Sequence, residues 1–166
     1  DHCGGTGNCA GATAEIAFDY VAKSTGMVEE YMYGYGAYYG NVTDCQVPSG
    51  PPKAAIGGYV TNPTNDLNEF MGSLVEEGPI AISVDASSWH AYSSGVYDGC
   101  DQASPDIDHA VVAVGYGEDE NGKFWTVRNS WSASWGEAGY IRLKREDSQE
   151  AVVCGTDSTP TDSTPA

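Results

Sequence analysis

The sequence predicts an α+β domain, with helices first and strands later. Residues 14–24 and 66–77 place apolar side chains at helical spacing. Residues 79–85, and then the stretch 108–143, run in short alternating or β-branched blocks separated by turn residues. The composition agrees: 166 residues, 40% hydrophobic and 19% charged, are enough for a packed core and unlike a disordered chain.

The chain opens with a glycine-rich loop, residues 1–12, holding Cys3 and Cys9. The first helix is expected from Ala14 to Ser24, with Thr13 as N-cap, Glu15 in the positive first turn and Gly26 as its stop. Ile16, Ala17, Tyr20 and Val21 give it one apolar stripe. The tyrosine- and glycine-rich segment YMYGYGAYYG, residues 31–40, is expected to be irregular structure packed by its own tyrosines. Pro48, Pro51 and Pro52 mark a break. Residues 1–52 are therefore assigned to a helical unit, 53–155 to a strand-rich unit with one helix, and 156–166 to a polar tail. The second helix, Asp66 to Glu77, carries Leu67, Phe70, Met71, Leu74 and Val75 on one face. Strands are expected over 79–85, 110–116, 123–128 and 140–143, with a short turn or helix at 87–92.

A net charge of −17 repels phosphates and argues against nucleic-acid binding. No apolar run approaches the roughly 20 residues of a membrane helix, so no membrane partner is expected. The sequon Asn41-Val42-Thr43 predicts glycosylation at Asn41, and five cysteines suit an oxidising, secretory-route protein. The odd count leaves one thiol free or paired beyond this chain. Opening at Asp1, directly into a Cys-rich loop, is what a processed or truncated product would show.

His109 stands at the mouth of one strand and Asn129 at the end of the next, followed by Ser130 and Trp131. An imidazole beside a carboxamide is the base and orienter of a nucleophilic site. His90 has no acidic or Cys neighbour at ligand spacing and reads as a surface residue, and His2, in the opening loop, is equally unremarkable. The cysteine spacing does not suit a zinc site, no G-x-S-x-G elbow occurs, and no metal or other cofactor is expected. Cys9 precedes a helix N-terminus, which would lower a thiol pKa. At this level it could be either a nucleophile or half of a disulfide.

DHAVVAVGYG from Asp108, RNSWSASWGEAGYIRLKR from Arg128, and Cys154-Gly155 together resemble the C-terminal portion of a papain-family (cathepsin L/papain-like) cysteine peptidase. CAGATAEIAFDYV at 9–21, YMY at 31–33 and GPIAISVDA at 78–86 extend the likeness over nearly the whole chain. The resemblance implies an antiparallel β-barrel domain plus part of the helical domain. It also implies His109 as the base, Asn129 as its orienter and Trp131 as the cover of their bond. Gly11 and Ala12 would pair with substrate backbone, the Asp108 carbonyl would lie near the cleaved bond, and Ala14, Ser83 and Ala110 would line a pocket.

In this family the nucleophilic Cys lies about 130–150 residues before the His, which from His109 falls ahead of Asp1. The nucleophile block, its helix and the oxyanion-hole Gln are accordingly expected on an N-terminal light chain or other segment outside these residues. The resemblance further implies disulfides Cys3–Cys45 and Cys100–Cys154, with Cys9 bridged to that segment. The expected activity is endopeptidase cleavage of peptide or protein substrates, in a lysosomal, vacuolar or secreted setting, with this chain inactive alone. The alternative is an inert papain-like module serving as a structural or binding subunit. Retention of both His109 and Asn129 counts against that alternative. Ala12 and Ser132, where the family usually has glycine, and Met32 in place of a proline are departures.

Overall fold

The computed structural model describes residues 11–40, 50–101, 103–151 and 155–158. They fall into two compact units that divide between Val60 and Thr61.

In the first unit, helix α1 spans Ala14–Lys23, and the Thr13 hydroxyl accepts from the Ile16 N–H as its cap. None of its residues is buried, so the expected stripe is only half covered. The helix closes at Ser24, whose hydroxyl donates to the Val21 carbonyl. Gly26 is not the stop but the place of close approach: a Cβ there would lie 2.6 Å from the Ala54 carbonyl oxygen. Next to it Met27 and Ala54 form a single antiparallel bridge. Residues 31–40 are irregular, and Tyr31, Tyr35, Tyr38 and Tyr39 are exposed, with Tyr38 and Tyr39 packed edge-on at 5.1 Å. Aromatic content marked that loop as ordered without telling which way its rings point.

The second unit holds helix α2, Leu67–Glu76, capped by the Asp66 carboxylate, which accepts from the Asn68 and Glu69 N–H groups at 3.1 and 3.0 Å. Leu74 is buried and Phe70 packs edge-on against Trp125 at 5.1 Å. Val75, expected on the same face, is exposed. Strands β1 (Ile80–Val84), β2 (Val96–Tyr97), β3 (His109–Asp119), β4 (Gly122–Arg128) and β5 (Tyr140–Lys144) form one sheet in the order β1-β3-β4-β5-β2. The β1, β3, β4 and β5 pairings are antiparallel, and the two-residue β2 joins β5 in parallel. Too short to show a period, β2 gave no signal in the sequence. The β3–β4 hairpin runs longer than the apolar pattern, because its tip, Glu118 to Gly122, is polar yet stays in register.

Alternation along β3 sends His109, Val111 and Ala113 to one face, and the latter two are buried. There Val111 meets a core of Ala86, Trp89, Tyr92, Val127 and Ile141. A short 3-10 turn, Trp89–Ala91, plants Trp89 fully buried in that core.

Candidate active site

Two devices bring His109 and Asn129 together. The antiparallel β3–β4 pairing sets the start of β3 beside the end of β4, with Val112 opposite Arg128. The Asp108 carboxylate then accepts from the Ala86 N–H at 2.9 Å, while the Asp108 N–H donates to the Val84 carbonyl at 3.1 Å. That latch fixes the residue before His109.

Asn129 is the one buried polar residue among those described, at 9% exposure. Its N–H donates to the Gly139 carbonyl at 3.0 Å, tying the loop after β4 to the entry of β5. His109 Nε2 lies 2.8 Å from Asn129 Oδ1, and the Ser130 N–H donates to the same oxygen at 2.7 Å. An atom that accepts from a backbone N–H is an oxygen, so Nε2 carries the proton and donates. Nδ1 is then the free base of the ring. Asn129 Nδ2 is buried without a partner among the described residues.

Trp131 lies against the imidazole of this pair. Its ring stacks on His109 at 5.1 Å and 29°, and meets Trp135 edge-on at 5.3 Å. Trp135 in turn stacks on buried Trp89 at 6.4 Å, so an aromatic chain runs from the core to the imidazole. His90, read from the sequence as a surface residue, also lies against Trp131, at 4.9 Å with the rings 3° from parallel. Its only sequence signal was the position directly after a buried-type Trp.

Arg142 on β5 ties the loop that follows Asn129 to the β3–β4 hairpin. Its guanidinium forks onto Glu137, with Nε and Nη2 each 2.8 Å from a carboxylate oxygen, and also pairs with Asp119. Glu137 further accepts from the Gly95 N–H at 2.9 Å. The bonds to Arg142, then that from Gly95, hold the Glu137 carboxyl below its ordinary value against the opposing effect of burial. Partial burial raises Asp85, but bonds from Ser87 and Asp106 outweigh it and keep that carboxyl low.

Ser83 and Ala110 are register partners across β1 and β3, and both are exposed. Gly11, Ala12 and Ala14 belong to the first unit, where Gly11 is exposed and the two alanines are half-buried. Cys3, Cys9, Cys45, Cys154 and the sequon residue Asn41 lie outside the described residues. Cys100, exposed as a whole residue, has no disulfide partner among the described residues, and partial burial of its sulfur, then Asp85 and Asp98, push the thiol up. Asp157, assigned from the sequence to a frayed tail, accepts from the Ile107 N–H at 2.8 Å. Among the described residues no His, Cys, Asp and Glu cluster could hold a metal, and no helix is long and apolar enough to cross a membrane.

A sequence model described as papain family cysteine protease matches residues 1–163. Fruit bromelain of Ananas comosus is 38% identical over 160 residues, covering 95% of this chain and 44% of that protein. A cathepsin L-like protein of Caenorhabditis elegans is 36% identical over 159 residues, covering 94% and 46%. Among solved structures, bromelain from Ananas comosus in complex with the E64 inhibitor superposes with a TM-score of 0.71 at 36% identity, covering 84% of this chain and 63% of that one. Digestive procathepsin L2 from Tenebrio molitor larval midgut gives 0.73 at 32%, covering 84% and 44%. The chain thus spans less than half the length of these curated relatives.

Proposed function

Since the chain belongs to the papain family of cysteine proteases and has its α+β fold, we propose that it supplies the base half of a cysteine endopeptidase site. The nucleophilic thiol, on this reading, comes from a polypeptide segment outside these 166 residues. The observation that carries the proposal is the 2.8 Å bond between His109 Nε2 and Asn129 Oδ1, which leaves Nδ1 to take a proton.

The chemistry follows from that tautomer. Nδ1 accepts the thiol proton, giving a thiolate and an imidazolium held as an ion pair. The thiolate adds to the peptide carbonyl carbon. As the tetrahedral adduct collapses, the C–N bond breaks, and the imidazolium gives its proton to the leaving amine. A water then loses a proton to Nδ1 and adds to the thioester carbonyl. The second adduct expels the thiolate and releases the carboxylic acid. Asn129 keeps the ring aimed through all three proton transfers, and Trp131 shields the bond that does so.

Ser83 and Ala110, paired and exposed, suit the wall of a substrate pocket. The Asp108 carbonyl near the cleaved bond, and Gly11, Ala12 and Ala14 as the first unit's share, are proposed on the family likeness. So are the light-chain partner, the disulfides Cys3–Cys45 and Cys100–Cys154 with Cys9 bridged outside the chain, and glycosylation at Asn41. This chain alone is proposed to be inactive. The sequon, the cysteines and the acidic balance favour a lysosomal, vacuolar or secreted setting.

Peptide hydrolysis by the native protein tests the roles. His109→Ala should lower kcat/KM by at least about 100-fold, the lower range for a general acid–base. Asn129→Ala should lower it by roughly 10- to 100-fold, the worth of a hydrogen bond to a charged partner. Unchanged hydrolysis in His109→Ala would overturn His109 as the base, and an absence of hydrolysis by the native protein would favour the inert-module reading.

A further inference from the structure

We propose that His90 is a positioning residue that acts on His109 through Trp131. This rests on the reading of His109 as the base.

Three observations converge on it. First, the backbone carrying His90 is pinned on both sides. Trp89 is fully buried, with its N–H donating to the Ala86 carbonyl at 3.0 Å. Tyr92 is buried too, and its hydroxyl donates to the Gly95 carbonyl at 2.7 Å. The His90 side chain between them is exposed, and no ion pair or hydrogen bond among the described residues directs it. It nevertheless lies 3° from coplanar with Trp131 at 4.9 Å. An exposed ring with free rotamers adopts such a plane because the stack itself holds it.

Second, Trp131 needs holding. It sits in a loop whose next residue, Ser132, has φ 87°, a left-handed conformation that a side chain resists. The indole is half-buried, and its partners are Trp135 edge-on and the two imidazoles. Take away His90, and one of the two stacking contacts that set the plane of the indole is lost.

Third, the bond beneath is vulnerable to water. Asn129 Oδ1 already serves two donors while Nδ2 finds no acceptor among the described residues, so a water admitted at the carboxamide would find an unmet partner at once. The plane of Trp131 therefore governs how long the His109–Asn129 bond stays dry, and His90 governs that plane.

The test follows the hydrogen-bonded Nε2–H proton of His109 by NMR in the native, 15N-labelled protein. His90→Ala should speed its exchange with water by about 2- to 10-fold, in line with the loss of one aromatic pair. His90→Phe, which restores a flat ring, should return the wild-type rate. In hydrolysis, His90→Ala should lower kcat by a similar factor with KM held. An unchanged exchange rate in His90→Ala, or a failure of His90→Phe to restore it at equal melting temperature, overturns the proposal. Failure of the underlying reading shows differently: His109→Ala would then hydrolyse peptide normally, whatever His90 does to exchange.

Discussion

At the scale of single residues, the loop from Asn129 to Gly139 carries most of the strain and most of the site. Ser132 and Ala138 have positive φ, at 87° and 56°, between residues that hold the imidazole and residues that enter β5. The family likeness puts glycine at position 132, and the backbone gives the reason, since glycine adopts φ > 0 without steric cost. Ser132 offsets part of that cost locally, with its hydroxyl 3.1 Å from that of Ser134. Ser132→Gly should therefore raise the free energy of unfolding by about 0.5–1 kcal/mol, the lower end for relieving a left-handed non-glycine residue. Urea denaturation measures it, and a loss of stability would show that the hydroxyl contacts outweigh the strain. His109 and Asn129 could be named from the sequence because strand ends and an Asn-Ser-Trp block mark them. His90 could not, because the stack that gives it meaning joins residues 41 positions apart.

At the scale of elements, the β3–β4–β5 meander was readable because its interior strands are apolar and β-branched. Helix α2 was readable from its Asp66 cap and 3.6-residue spacing. What escaped the sequence depends on tertiary pairing. β2 exists only because β5 offers it an edge, and the end of β3 and the start of β4 are polar residues held by the register of the hairpin. The Arg142 clamp is of this kind too: from β5 it binds Glu137 of the site loop and Asp119 of the hairpin, and lies over the Phe124 ring at 5.0 Å. Arg142→Ala should cost about 2 kcal/mol, as for a lost charge-assisted hydrogen-bond network.

The pH dependence of that loss carries a sign. Folded Glu137 is held below its ordinary value of 4.5, so the unfolded chain takes the proton first. The stabilisation is complete above that ordinary value and fades as pH falls through the lowered folded value. Wild-type stability should thus drop more steeply than that of Arg142→Ala below pH 4.5. Parallel profiles from denaturation at successive pH values would rule the clamp out as the cause.

At the scale of the whole molecule, the proposed function has the fold deliver one half of a reaction. The sheet and the site loop hold an imidazole, the carboxamide bonded to it and an indole stacked on the ring, and the net charge of −17 repels polyanions. The five cysteines are an odd set, and their pairing is a matter of chain topology that spacing does not encode. The account as a whole requires a thiolate brought to His109 Nδ1 from beyond residue 1. Its most direct test is to treat the native protein with E64 and map the modified cysteine by mass spectrometry. The account predicts modification of a cysteine outside residues 1–166, abolished in His109→Ala. Modification at Cys9, or labelling undiminished in His109→Ala, would contradict it.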